Sequence, residues 1–187
     1  MRNPTFTVSP QNGLLTSVLY RPSPHQDTRP EGTSIDMIVI HGISLPPGEF
    51  GSNTVEAFFC GNLDASSHST LADIANLRVS AHLLIKRTGD IIQFVPFTQR
   101  AWHAGESFFE GKTNCNDFSI GIELEGTDDI PYEAMQYMQL GKVITALMRA
   151  YPCITPERIV GHVHIAPGRK TDPGPLFRWS YLKGILK

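Results

Sequence analysis

A chain of 187 residues, 41% of them hydrophobic, has the length and composition of one ordinary domain, and its net charge of −2, with Lys and Arg scattered, offers no basic surface for nucleic acid. Its longest apolar stretches, Met37 to Ile40 and Leu83 to Ile85 among them, fall far short of the roughly 20 residues that cross a bilayer, so no membrane partner is expected. The cysteines Cys60, Cys115 and Cys153 lie far apart without C-x-x-C spacing and cannot all pair, which points to reduced thiols.

Residues 1–30 carry five prolines and little periodicity, and read as an extended leader over a single domain spanning 1–187. They hold no apolar block of about 7–15 residues of the kind that export requires, so a cytoplasmic protein is expected. Ile35 to Ile40 predicts a buried strand with His41 at its exit, and the glycine- and proline-rich segment Gly42 to Asn53 predicts a loop bordering a site. Short helices are expected near Thr54 to Cys60 and Leu71 to Asn76. Val79 to Lys86 and Ile91 to Val95, joined by Thr88-Gly89-Asp90, predict an antiparallel hairpin. Ser119 to Glu125 predicts a further strand, Glu133 to Tyr151 the longest helix with Pro152 as its stop, and Ile159 to Ile165 a strand or extended segment. Pro175 is placed to open a terminal helix running to about Leu186. The fold class that follows is α/β, a central mixed sheet flanked by helices.

Seven histidines in a small chain invite a search for metal ligands. His162 and His164, two apart in an extended segment, would share a face, with Asp172 ten residues beyond His162 and His41 as a distant third ligand. His164, His68, His82 and His103 compete for the same role. Glu123 and Glu125 would also share one face of their strand, with Ile120, Ile122 and Leu124 on the other, and one of the two could serve as a general base. Lys170, close to Asp172, either sets a cation beside a metal or is an ordinary loop lysine.

The strings IVIHGISLPPGEFG, RVSAHLLIKRTGDIIQFVP, RAWHAG, CNDFSIGIELEGTD and GHVHIAPGRKTDPG, in order from about Arg21 onward, resemble the N-acetylmuramoyl-L-alanine amidase family related to peptidoglycan recognition proteins, and within it the anhydromuramyl-L-alanine amidases of cell-wall recycling. The resemblance implies Zn2+ held by His41, His162 and Asp172, Glu123 as catalytic base and Lys170 as stabiliser of the transition state, with the metal in a groove on one face of the sheet. It also implies that Arg78, Trp102 and His103 contact the substrate: an Arg grips a carboxylate and an indole offers a flat face to a sugar. The expected partner is a small cytoplasmic muropeptide and the expected form a monomer, with β-lactamase induction limited as a consequence. Two positions depart from the family pattern. Gly42 follows the first ligand where Asn is frequent, and His164 stands where Asp or Asn is commoner. A receptor that binds muropeptides without turnover, or an amidase of the intact wall, are the rival readings.

Overall fold

The computed structural model describes residues 5–186. In chain order its elements are β1 (Leu19–Tyr20), β2 (Gln26–Thr28), β3 (Met37–Ile43), α1 (Thr54–Phe59), β4 (Leu83–Ile85), β5 (Ile91–Gln93), β6 (Gln99–Ala101), β7 (Phe108–Phe109), β8 (Lys112–Thr113), β9 (Ser119–Glu125), α2 (Ala134–Ala150), β10 (Ile159–Gly161), α3 (His162–Ile165) and α4 (Trp179–Ile185). Six strands form one mixed sheet in the order β1-β5-β4-β9-β3-β10, where β4 and β5 are antiparallel and the other neighbours parallel. The predicted mixed sheet and its hairpin are therefore present.

The apolar runs of β3 and β9 follow from burial on both faces, as parallel central strands require. Side chains alternate along a strand. Ile38 and Ile40 of β3 and Ile120, Ile122 and Leu124 of β9 face one side, where they pack against Leu140, Val143, Ile144 and Leu147 of α2. Each such side chain contributes roughly 1.5–3 kcal/mol on burial, so this layer fixes where the strands stand. Gln136 of α2 locks the arrangement: its Nε2 donates to the carbonyls of Ile85 (3.2 Å) and Glu125 (3.0 Å) at the ends of β4 and β9. On the opposite face Met37 and Val39 pack with Cys115, Phe118 and Ile165, and the next residue of that face along β3 is His41.

Several boundaries differ from expectation for physical reasons. β3 runs on to Ile43 because β9 pairs with it through Ile43↔Glu125, so His41 lies inside the strand and not at its exit. Only Leu83–Ile85 of the segment Val79 to Lys86 is strand. The stretch near Leu71 is a 3-10 helix, Ser69–Ile74, capped by the His68 ring, which accepts from the Thr70 N–H. The segment expected to be extended from Ile159 to Ile165 breaks at Gly161: β10 ends there and His162 begins a single helical turn, so His162 and His164 do not share a face. The terminal helix begins at Trp179, after Pro175. Within residues 5–30, Phe6 and Leu15 are buried, and β1 extends the sheet beside β5.

Candidate metal centre and active site

Two central strands and one returning loop build the site. His41 on β3 and Glu123 on β9 are register partners, so both project from the face opposite α2. His162 opens α3 directly after β10. The chain then turns through Ala166, whose carbonyl accepts from Lys170 N–H, and returns so that the Asp172 carbonyl accepts from Val163 N–H at 3.0 Å. That closure brings Asp172 beside His162 across ten residues of sequence.

His41 Nδ1 lies 3.0 Å from His162 Nδ1, and both lie 3.2 Å from Asp172 Oδ2. His162 Nε2 is 3.1 Å from the Ala104 carbonyl, which can only accept; Nε2 therefore carries the ring proton and Nδ1 faces the cluster bare. Three lone-pair atoms converging in this way suit a cation better than one another. Ligands bound at ~2.0–2.2 Å in a tetrahedron stand ~3.4 Å apart, within a few tenths of the spacing found. The donor set thus fits a metal ion, and His41, His162 and Asp172 could hold one. Burial lowers the pKa of His41 to about 4, although the contact with Asp172 pulls the other way. Asp172 is pushed up by burial, but its close contacts with the His162 and His41 rings outweigh this and hold it below the usual carboxylate range.

These groups open into a cleft of about 260 Å³ that Glu123, Lys170 and Trp102 also line. Glu123 is 8% exposed, and its buried Oε2 has no hydrogen-bonding partner. Burial raises its pKa well above the usual value, the charge of Asp172 adds to the shift, and Lys170 opposes it. A carboxyl group poised in this way can take and return a proton. Glu125, on the same face, does not open on solvent: it is buried and accepts from the backbone N–H groups of Gly51 and Arg87.

Of the three residues expected at the substrate, Trp102 and His103 line the cleft, while Arg78 is exposed and lies over the Trp102 ring, 5.4 Å from its centroid. His25 stacks with the same indole at 6.1 Å. The competing histidines are engaged elsewhere. His68 caps its 3-10 helix, His82 accepts from Gly121 N–H behind the site, and His164 Nδ1 accepts from Gly161 N–H at 2.8 Å while its ring packs on Trp179. At Gly42 a Cβ would collide with the Tyr132 hydroxyl, which donates to the Pro173 carbonyl. Tyr132 thus fills the space a side chain at that position would need. Arg29 is a supporting residue that sequence reasoning missed. Buried, it donates to the carbonyls of Phe97, Asn116, Asp117 and Ser119, and so braces the start of β9. Apart from the His82 ring, 3.1 Å away, its partners are backbone oxygens, which leave no mark in a sequence.

Residues 31–175 match the family model described as N-acetylmuramoyl-L-alanine amidase. The chain is 53% identical over 176 residues to the 1,6-anhydro-N-acetylmuramyl-L-alanine amidase AmpD of Escherichia coli, covering 94% of this chain and 96% of that one. It is 52% identical over 174 residues to AmpD of Citrobacter freundii, covering 93% and 92%. Among solved structures, a selenomethionine derivative of AmpD matches with a TM-score of 0.91 at 51% identity, covering 94% of this chain and 98% of that one. The amidase AmiD of Escherichia coli, solved with anhydro-N-acetylmuramic acid-L-Ala-D-γ-Glu-L-Lys, matches with a TM-score of 0.59 at 33% identity, covering 84% and 60%.

Proposed function

The chain belongs to the N-acetylmuramoyl-L-alanine amidase family, and from that premise we propose that it is a zinc-dependent amidase of soluble muropeptides, cleaving the bond between 1,6-anhydro-N-acetylmuramic acid and L-alanine. The observation that carries the zinc assignment is the triangle of His41 Nδ1, His162 Nδ1 and Asp172 Oδ2, one strand from an unpartnered carboxyl group on Glu123. When bound, Zn2+ supplies Lewis acidity that makes water nucleophilic near neutral pH and polarises a carbonyl.

The residues of the chain do the rest. Glu123 takes the proton of the attacking water at its free Oε2 and passes it to the departing L-alanine nitrogen. Lys170, lining the same cleft, places its ammonium group against the developing oxyanion. Trp102, packed against His25 and Arg78, lines the cleft that would take the sugar ring, and Arg78 would grip a peptide carboxylate. The same proposal sets this work in the cytoplasm, as a monomer formed by one domain with its leader, where it removes the muropeptides that induce β-lactamase. The likeness to AmpD over nearly the whole chain supports this part.

The test is mass spectrometry of purified protein on anhydromuramyl tripeptide and on intact sacculi, before and after zinc is stripped and restored. Zinc-dependent release of free peptide from the soluble fragment, with little from sacculi, is the expected result. Binding without cleavage would favour a receptor. In a bacterium that lacks this activity and carries an inducible β-lactamase, expression of the chain should lower uninduced β-lactamase levels.

A further inference from the structure

We propose that His103 is a positioning residue for the metal centre: by accepting the Nε2 proton of His41 it leaves His41 Nδ1 bare toward His162 and Asp172. The proposal rests on the zinc-amidase reading above and adds to it the group that selects the tautomer of one ligand.

The relay starts at a backbone oxygen. The Cys115 carbonyl can only accept, and Ser119 Oγ lies 2.5 Å from it, so the single hydroxyl proton of Ser119 points there. Ser119 Oγ is also 3.2 Å from His103 Nε2, and having given its proton away it can only accept from that nitrogen. His103 Nε2 therefore carries a hydrogen. Among the described residues the ring bonds only Ser119 and His41, neither a carboxylate, and the buried guanidinium of Arg29 lies just beyond His82. A second proton on His103 would be an unpaired buried charge, so Nδ1 is bare. It stands 3.0 Å from His41 Nε2, which must then donate, and a neutral His41 is left with its lone pair on Nδ1. One carbonyl thus dictates, through a hydroxyl and an imidazole, which nitrogen of His41 meets the metal.

The position of His103 is set on several sides. Its backbone N–H and that of Ala104 both donate to Asn116 Oδ1, at 3.0 and 2.8 Å. Its ring packs edge-on to His41 and His82, with centroids 5.0 and 5.8 Å away, and lies against Gly121, where any Cβ would strike it. The next residue, Ala104, offers the carbonyl that fixes His162 Nε2. A single clamped dipeptide, His103-Ala104, therefore orients both histidine ligands, one through a side chain and one through the main chain. Partners of this kind fix ring orientation and ligand tautomer in metal sites and typically change metal affinity ~10–100-fold when removed.

The test compares His103→Asn, whose Oδ1 can still accept from His41, with His103→Leu, which fills similar space and cannot. Ser119→Ala, which removes only a hydroxyl, guards against misfolding. Two readouts apply: zinc affinity by chelator competition, and the 15N ring shifts of His41 in metal-free protein. Metal-free wild type should carry the His41 proton on Nε2. His103→Leu should lose ~10–100-fold in zinc affinity while His103→Asn stays within a few-fold. Ser119→Ala should give a mixture of His41 tautomers and an intermediate loss of affinity. A wild-type His41 protonated on Nδ1, or a Leu variant that binds zinc as tightly as the Asn variant, would overturn the proposal. The tautomer is read without metal, so a protein that failed to bind zinc would sink the functional reading while this measurement still decided the role of His103.

Discussion

His41 of β3 and Glu123 of β9 stand in register on adjacent parallel strands, so the distance between a proposed ligand and the proposed base is set by interstrand hydrogen bonds and not by a loop. Replacing Glu123 with Ala should leave the three-donor triangle intact. The expected result is a full complement of zinc by elemental analysis, with kcat lower by about 10²–10⁴. Loss of zinc in this variant, or near-normal kcat, would remove Glu123 from the role of base.

The metal-free protein should lose stability as pH falls below about 6.5. Burial lowers His41 to about 4 in the folded state, against ~6.5 in the unfolded chain. Between those values the unfolded chain binds a proton that the folded one does not, so stability rises with pH across the window. The shift corresponds to about 3 kcal/mol, and burial moves His82 and His103 in the same direction. Glu123 acts with the opposite sign, since its raised pKa means that the folded state holds its proton longer and its ionisation costs stability above ~4.5. Glu123→Gln should therefore stabilise metal-free protein near pH 8, by an amount on the order of 1–3 kcal/mol, and lose that advantage as pH falls through 4.5. Urea melts of metal-free wild type and variant between pH 4 and 8 would show both trends.

Single changes should separate ligands from neighbours. His162→Ala and Asp172→Ala remove corners of the triangle and should abolish tight zinc binding and activity together. His164→Ala removes a ring whose Nδ1 accepts from Gly161 N–H outside the cluster, so it should bind zinc normally and cost at most about 0.5–1.5 kcal/mol of stability. Zinc titration and thermal melts of the three variants check this, and a zinc defect in the His164 variant would place that residue in the centre.

Lys170→Met should lower kcat by about 10²–10³, as loss of an oxyanion-stabilising group does, while KM moves little. A rise in KM at constant kcat would instead make Lys170 a substrate-binding group.

The central sheet was legible because buried parallel strands write themselves as apolar runs: the strand expected over Ile35 to Ile40 overlaps Met37–Ile43, and Ser119 to Glu125 was found where it lies. The trio His41, His162 and Asp172 owed more to family resemblance than to spacing. An extended reading of His162 and His164 put both on one face, whereas Gly161 ends the strand and turns His164 away. What pattern could not give is the support behind the site. Arg29, Ser119 and the carbonyls of Ala104 and Cys115 act through backbone oxygens or a lone hydroxyl, and these chemistries have no periodicity and no characteristic residue type. Glu125 was visible as a partner of Glu123, but its work differs, because the chain that it meets comes from a loop more than seventy residues earlier.

Glu125 should govern substrate binding without touching the chemistry. Its Oε1 accepts from Gly51 N–H at 2.6 Å and its Oε2 from Arg87 N–H at 3.1 Å, which ties the loop of residues 42–53 to the turn of the β4–β5 hairpin. The Arg87 guanidinium lies over the Phe50 ring at 4.7 Å and closes the same clasp. From this loop Leu45 reaches the wall of the cleft. Glu125→Ala leaves two backbone donors without their acceptor, and hydrogen bonds to a charged group contribute about 1.5–3 kcal/mol each. A destabilisation of roughly 3 kcal/mol or more is expected, together with faster proteolytic cleavage within 42–53. The loosened wall should raise KM about tenfold. Glu123, on a strand still paired on both edges with β3 and β4, should keep kcat within a few-fold of wild type. A fall in kcat at unchanged KM would mean that the clasp acts through the strand on Glu123, and that the loop is no part of the binding wall.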